Sequence, residues 1–189
     1  LQNLQADLFL HSPVIGAQTE KNRICALNCV DDEGMFEIRA KAFVDASGDA
    51  NLARLAGAKV MWGDAQGRVQ AASLPFRLSG VDITKDMSPA AVKCAVEQAR
   101  NAGMEHLPRE SGFLLTLEGS QVVCALIPSV MPEGLSAREL TRMEQELREQ
   151  AVSYAAALKR YMPGMEHSEL VMIGPSIGLR ETRRLVGRT

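Results

Sequence analysis

One stretch constrains the fold of this chain more than any other, because it joins a strand pattern, a tight turn and a helix pattern without interruption. Ala42–Ala46 is a short apolar run with β-branched and aromatic residues, which predicts a strand. Beyond Asp49 the apolar residues Leu52, Ala53, Leu55 and Ala56 recur at helical spacing, which predicts a helix. The chain is therefore expected to turn directly from strand into helix at residues 47–49.

The turn itself, Ser47-Gly48-Asp49, combines a hydroxyl, a glycine and a carboxylate. Glycine adopts positive φ at little steric cost, so the backbone here is able to approach a ligand closely. The same residues also suit an ordinary strand-to-helix corner in which Asp49 is the N-cap. From the residues alone, both interpretations stay open.

A resemblance to a known family favours the ligand-binding interpretation. The motif Val44-Asp45-Ala46-Ser47-Gly48-Asp49, with Ala56-Gly57-Ala58 closing the helix, closely resembles Ile-Asp-Ala-Thr-Gly-Asp at the strand end of FAD-dependent oxidoreductases related to fumarate reductase and aspartate oxidase. Serine in place of threonine at position 47 is the departure from that motif. The resemblance implies that Ser47, Gly48 and Asp49 bind or adjoin the cofactor, FAD.

The residues before the corner predict a three-stranded antiparallel meander. The predicted strands are Asp7–Ala17, Arg23–Val30 and Met35–Ala40, joined by polar turns at 19–22 and 31–34. Pro13 interrupts the first strand, which predicts an edge or a bulge. A meander followed by a return strand resembles the second half of glutathione-reductase-like FAD domains, so the resemblance extends over residues 6–58.

A second informative segment contains Arg180, Arg183 and Arg184 within five residues. Clustered guanidinium groups are able to hold carboxylate or phosphate groups with fork geometry, whereas the plain alternative is a solvated basic turn paired with Glu181. Composition alone favours the plain alternative. The segment Ile177-Gly178-x-Arg180-Glu181-x-Arg183-Arg184-x-x-Gly187, preceded by Pro163-Gly164-Met165-Glu166, resembles a hallmark of the same FAD-dependent family. The three arginines are therefore candidate catalytic residues that stabilise an anionic substrate or the reduced flavin.

The remaining segments predict a second domain, made of a β-hairpin, two helices and short strands. The predicted elements are a strand at Leu74–Leu78, a helix from Ser88-Pro89 to Gly103, a hairpin of Gly112–Leu117 with Gln121–Ile127, a helix from a Ser136–Glu139 capping box to Pro163, and a strand at Leu170–Ile173. On the long helix, Glu144 and Arg148 are expected to pair on the solvent face.

The predicted fold class is therefore α/β of the mixed α+β kind. Residues 1–59 are expected to form the second part of an FAD-binding domain, with the meander and return strand. Residues 60–173 are expected to form a substrate or cap domain, and residues 174–189 an arginine-rich segment that returns toward the FAD domain.

Charge, hydropathy and cysteine spacing exclude several classes of function. A net charge of −2 gives no broad basic field, so nucleic acid is not an expected partner. No apolar run approaches the roughly 20 residues that a membrane helix needs, and no export signal is present, so a cytoplasmic protein is expected. Four cysteines, Cys25, Cys29, Cys94 and Cys124, lack Cys-x-x-Cys spacing and predict buried, reduced thiols without a metal.

One expected feature of a dinucleotide-binding protein is missing. Such a cofactor is gripped by a Gly-x-Gly-x-x-Gly turn after the first strand, and no Gly-x-Gly occurs in this sequence. The sequence also begins at Leu1 rather than at methionine. We therefore expect an internal fragment of a longer flavoprotein, which alone is inactive and binds FAD weakly or not at all.

The predicted function is that of an FAD-dependent oxidoreductase which, when intact, transfers hydride or electrons between its flavin and a small anionic substrate. The alternative, from another class, is a non-catalytic α+β module whose basic segment binds an acidic partner or a small anion. An enzyme that uses a nicotinamide cofactor alone is disfavoured by the missing glycine-rich turn. Exposed truncation surfaces are expected to promote artificial self-association of the fragment, so a homo-oligomer is a candidate state. No catalytic role is assigned to His11, His106 or His167.

Overall fold

The computed structural model describes residues 6–116, 119–180 and 182–187. Its strands are β1 (Val14–Glu20), β2 (Arg23–Asp31), β3 (Gly34–Arg39), β4 (Val60–Met61), β5 (Ala72–Ser73), β6 (Phe76–Ser79), β7 (Phe113–Thr116), β8 (Val123–Leu126), β9 (Ser129–Val130), β10 (Glu169–Ile173) and β11 (Arg184–Leu185). Its helices are α1 (Asn51–Leu55), α2 (Pro89–Asn101) and α3 (Ala137–Tyr161). The predicted mixed α+β fold is confirmed.

The described residues divide into two compact units. The first unit contains the residues up to Gly67 together with 182–187, and the second unit contains Arg68–Arg180. The assignment of 1–59 to an FAD-binding domain, 60–173 to a substrate domain and 174–189 to a returning segment stays a prediction.

The first unit contains the predicted meander, in which β1, β2 and β3 are antiparallel and adjacent in that order. Lys21 and Asn22 form the turn between β1 and β2 with φ of 47° and 64°, the backbone form that matches the twist of a hairpin. The strand predicted from Asp7 is wrong over residues 7–13, because β1 begins at Val14. Pro13 has no N–H to donate, although its carbonyl accepts from the Val30 N–H at 3.2 Å.

The return strand predicted at Ala42–Ala46 is not formed. A strand needs a neighbour that completes its hydrogen bonds, and no strand among the described residues pairs with this segment. The Val44 side chain is accordingly 88% exposed. The helix that follows is also short, since α1 spans only Asn51–Leu55.

The chain rejoins the first unit through β11, which pairs antiparallel with β4. Arg184 lies opposite Met61 and Leu185 lies opposite Val60. The Val186 N–H extends this ladder by donating to the Lys59 carbonyl at 3.0 Å. The ladder fixes residues 182–187 beside the segment that follows α1.

The second unit is built on a four-stranded antiparallel sheet in the order β10-β6-β8-β7. β7 and β8 form the predicted hairpin, although residues 117 and 118 lie outside the described part of the chain. α2 and α3 pack together over the sheet, and all three contribute to one apolar core. Its fully buried side chains include Phe76, Leu78 and Val123 from the sheet, Val92 and Val96 from α2, and Tyr154 and Leu158 from α3.

The two long helices begin at the predicted caps. The Ser88 hydroxyl accepts from the Ala91 N–H at 3.3 Å, and the Ser136 hydroxyl accepts from the Glu139 N–H at 3.2 Å. The Glu139 carboxylate accepts from the N–H of Glu133, upstream of the cap, at 3.3 Å. This contact ties the preceding loop to the first turn of α3.

The cysteines are free, but their burial differs from the prediction. Cys29 is buried and Cys25 and Cys124 are half-buried, whereas Cys94 is exposed. The buried stripe of α2 contains Val92, Ala95, Val96 and Ala99, and position 94 falls outside it.

Within the described ranges, no group of three His, Cys, Asp or Glu side chains is arranged to hold a metal. No helix in those ranges is long and apolar enough to cross a membrane.

Candidate functional site

Asp45 organises the corner that precedes α1. One carboxylate oxygen accepts from the Ser47 N–H at 3.1 Å and from the Ser47 hydroxyl at 2.6 Å. The other oxygen accepts from the Ala53 N–H, inside the helix, at 3.0 Å. A single side chain thus ties the turn to the first turn of α1, where backbone N–H groups have no partner within the helix.

The Ser47 hydroxyl is both a hydrogen-bond donor and a hydrogen-bond acceptor. It donates to Asp45 and accepts from the Asn51 N–H at 3.0 Å. The hydrogen bond from the Ser47 hydroxyl, followed by those from the backbone N–H groups of Ala53 and Ser47, holds the pKa of Asp45 below its ordinary value. The carboxylate therefore stays ionised and keeps its acceptor role at neutral pH.

The two other residues of the predicted turn, Gly48 and Asp49, supply none of these side-chain contacts. Gly48 has φ of 77°, as expected for a glycine at this turn. The alternative in which Asp49 is the N-cap is wrong, because the N-cap position is Ala50, which lies in the left-handed region without a side-chain cap. Asp45 and Ser47 supply the hydrogen bonds that an N-cap side chain would otherwise supply.

A pocket of about 620 Å³ lies beside this corner, and we call it the corner pocket. Its polar lining consists of Asp45, Ser47, Asn51, Arg54 and Arg183, and its apolar lining includes Val14, Leu27, Val44, Leu52 and Leu55. All of these residues belong to the first unit. Two arginines against one carboxylate give the polar lining an excess of positive charge, which suits an anionic ligand.

Arg183, from the second motif, contacts the helix that follows the first motif. Its guanidinium donates to the Asn51 side-chain oxygen at 3.0 Å, on the first residue of α1. Its Nε is buried, and no atom of the described residues accepts a hydrogen bond from it. A buried donor without an acceptor is costly, so this group is a binding candidate.

Arg184 has a different environment, although it is the next residue. It donates to the Gly63 carbonyl and lies in β11, opposite Met61. Successive side chains of an extended segment point to opposite sides, which separates its guanidinium from that of Arg183. Arg184 is not among the residues that line the corner pocket.

Arg180 is exposed and belongs to the second unit. The three arginines therefore do not form one cluster within either unit. Arg180 follows a loop, 174–179, that is tied to α3 by Glu144 and Arg148. These two side chains pair as predicted and are half-buried, because both also contact the loop.

Asp45, Asn51 and Arg54 are the polar lining residues that the sequence did not nominate. All three stand inside or beside the first motif, so the signal was present. Asp45 is two residues before Ser47, the spacing at which an Asp side chain accepts from a nearby backbone N–H. Asn51 becomes a candidate only through its contact with Arg183, 132 residues away in sequence.

The comparison with protein families decides the classification. The family model described as FAD dependent oxidoreductase matches residues 1–189. The chain belongs to this family. The resemblance stated from the two motifs is thereby confirmed at the level of the FAD-dependent oxidoreductase family.

Of the two solved structures described next, the first, with a TM-score above 0.5, agrees with this classification at the level of fold. A geranylgeranyl bacteriochlorophyll reductase-like protein from Thermoplasma acidophilum has a TM-score of 0.51 and 16% sequence identity, over 88% of this chain and 36% of that chain. BexE, studied for oxidation during BE-7585A biosynthesis, has a TM-score of 0.47 and 16% identity, over 92% of this chain and 29% of that one. This member of the FAD-dependent family thus spans about a third of the length of these two proteins. No curated protein matches the sequence significantly.

Proposed function

We propose that the protein to which this chain belongs binds FAD at the corner pocket and transfers hydride or electrons between the flavin and a small anionic substrate. One observation carries the proposal: Ser47 from the first motif and Arg183 from the second line the same pocket. They are far apart in sequence, and the fold of the first unit brings them together. A shared pocket is expected if both motifs serve one cofactor.

The residues of the pocket fit an anionic cofactor. The volume of about 620 Å³ lies within the usual range for cofactor sites. The buried Arg183 Nε is a donor that lacks an acceptor among the described residues, and oxygen atoms of a phosphate or of the flavin ring would supply one. When bound, the flavin supplies the hydride chemistry.

The hydrogen bonds of the corner give its residues different roles. The Ser47 hydroxyl gives its proton to the hydrogen bond with Asp45, so it orients the turn rather than donating to a ligand. The Arg183 Nε has no acceptor among the described residues, while its Nη2 donates to the Asn51 side chain. We therefore assign the direct contact with the cofactor to Arg183 and the orientation of the corner to Asp45, Ser47 and Asn51.

The role expected for Arg180, as a cation that stabilises an anionic substrate or the reduced flavin, stays a prediction, because Arg180 belongs to the second unit and the corner pocket to the first. Arg184 is better explained as a residue that fixes the short ladder of β4 and β11, because its guanidinium donates to the Gly63 carbonyl.

The family match does not favour the alternative of a non-catalytic module. The cytoplasmic location and the association with further copies remain predictions.

The proposal is tested on the full-length gene product. Purified protein is expected to show flavin absorption, and Arg183→Leu is expected to weaken FAD affinity about 10- to 100-fold, the loss of a charge-assisted hydrogen bond. Arg39→Leu is the matched control, since Arg39 is an exposed arginine of the same unit that pairs with Glu37 on β3. A full-length protein that stays colourless after incubation with FAD would overturn the proposal, and unchanged affinity in Arg183→Leu would remove Arg183 from the site.

A further inference from the structure

The corner pocket carries more positive than negative charge, and its acid is already hydrogen-bonded elsewhere. Among the described residues that line the pocket, Arg54 and Arg183 are the cations and Asp45 is the acid. One carboxylate oxygen of Asp45 accepts from Ser47, and the other accepts from the Ala53 N–H. These hydrogen bonds tie Asp45 to the turn and to α1. The positive charge of the two guanidinium groups is therefore left for a ligand to balance.

Arg183 has a fixed orientation in this pocket. Its Nη2 donates to the Asn51 side-chain oxygen at 3.0 Å, and its Nε is buried without an acceptor among the described residues. Because the guanidinium group is rigid and planar, the contact with Asn51 also fixes the position of Nε. A ligand oxygen that accepts from Nε must therefore lie close to the first residue of α1.

Arg54 lines the same pocket from α1 itself. Asn51 and Arg54 are three residues apart on the helix, and side chains with this spacing are neighbours on one helix face, with Cβ atoms about 5–6 Å apart. Arg54 is exposed, and within the described part of the chain its guanidinium forms no hydrogen bond or ion pair. α1 thus carries one cation and, through Asn51, holds a second one at a neighbouring position.

We infer that Arg54 and Arg183 together bind the diphosphate of FAD, so that this group, rather than the flavin ring, lies beside Asn51. The inference rests on the proposed function and names the part of the cofactor that the corner pocket holds. A diphosphate has negative charge on both of its phosphates, and their oxygens accept hydrogen bonds from guanidinium groups, so it matches two cations at neighbouring positions. A carboxylate or a reduced flavin ring has a single negative charge, which one arginine would balance.

The test measures ligand affinity and uses the two halves of the cofactor as separate probes. On the full-length protein freed of flavin, ADP presents a diphosphate without a flavin, and riboflavin presents a flavin without a phosphate. Arg54→Leu is expected to weaken the binding of FAD and of ADP about 3- to 5-fold, the loss of one exposed charge contact, and to leave riboflavin affinity unchanged. Arg183→Leu is expected to weaken ADP binding about 10- to 100-fold, because its donor is buried.

Two further variants control for charge and for position. Arg54→Lys keeps a positive charge at the same place on α1 and is expected to keep most of the affinity for ADP. Arg39→Leu removes an exposed arginine of the same unit, which pairs with Glu37 on β3, and is expected to leave all three affinities unchanged. Added salt is expected to weaken ADP binding more in the parent than in Arg54→Leu, because salt screens the charge of an exposed side chain.

The outcomes separate this inference from the proposed function. If Arg54→Leu weakens riboflavin binding as much as ADP binding, or weakens riboflavin binding alone, the assignment of the diphosphate to this pocket is overturned and FAD binding stands. If Arg54→Leu changes no affinity, the two-arginine site is overturned, and the proposed function is then supported by Arg183 alone. A full-length protein that stays colourless after incubation with FAD would instead count against the proposed function itself, and the inference would fall with it.

Discussion

Asp45 stabilises the first turn of the short helix α1 as an N-cap side chain stabilises that of a longer helix. Its carboxylate accepts from Ser47 and from the Ala53 N–H, and these bonds connect the turn to the helix. Asp45→Asn replaces one acceptor oxygen by a donor, so at least one of these bonds is lost. We expect the free energy of unfolding to fall by about 1 kcal/mol, as for a lost N-cap. Asp49→Asn is the control, and an equal loss in both variants, measured by denaturant unfolding, would contradict this role.

The stabilisation by Asp45 is expected to depend on pH with a definite sign. Hydrogen bonds from Ser47 and Ala53 lower the pKa of the folded carboxyl below the ordinary aspartate pKa of about 3.9. The unfolded state therefore binds more protons in this range, and the contribution is complete above that ordinary pKa and lost as the pH falls through the folded pKa. The difference in unfolding free energy between the parent and Asp45→Asn should shrink below that pH. A difference that grows on acidification would contradict the prediction.

At the scale of residues, the sequence predicted the motif but not the division of roles within it. Ser47 and Gly48 were chosen because a hydroxyl and a flexible backbone suit a ligand site, and Gly48 does adopt positive φ. The Ser47 hydroxyl donates to Asp45, and this contact could be known only from the folded geometry of the turn. The separation of Arg183 from Arg184 likewise depends on the pairing of β11 with β4, which no local pattern encodes.

At the scale of elements, Tyr154 connects α3 to the loop that follows α2. The Tyr154 side chain is fully buried, and its hydroxyl both donates to the Arg109 carbonyl and accepts from the Arg109 N–H, at 2.7 Å each. Tyr154→Phe leaves both backbone groups without this partner, and we expect the free energy of unfolding to fall by about 1–3 kcal/mol. Tyr161→Phe, on the half-buried last residue of α3, is expected to have little effect. Equal denaturation midpoints for the two variants would contradict this prediction.

The elements that the sequence predicted well are those specified by local signals. α2 and α3 have a serine cap, a periodic apolar face and a defined end, and each of these acts within a few residues. The segment Ala42–Ala46 has an equally clear apolar pattern but needs a partner strand to become a strand itself. Because the periodicity of a sequence carries no information on which strand pairs with it, the prediction failed there and succeeded for the meander, whose partners are adjacent.

At the scale of the whole molecule, the two units differ in how the chain builds them. The second unit is one continuous segment, Arg68–Arg180, whereas the first requires residues from both sides of it. The main apolar core lies wholly within the second unit, as do the bridge between Ser73 and Gly178 and the pairing of β5 with β9. A continuous segment that contains its own core meets the physical requirements for folding alone.

We therefore expect residues 68–180, produced alone, to unfold in one cooperative transition. Leu158, a fully buried residue of α3 in the main apolar core, provides the internal test. Leu158→Ala is expected to lower the free energy of unfolding of the isolated segment by about 2–5 kcal/mol, through lost burial and a residual cavity. The same substitution in the complete chain is expected to cost a similar amount in the transition of this unit, because the contacts that it removes are the same. A segment that shows helical circular dichroism but binds a hydrophobic dye and melts without cooperativity would instead indicate that the core needs residues outside 68–180 to become ordered.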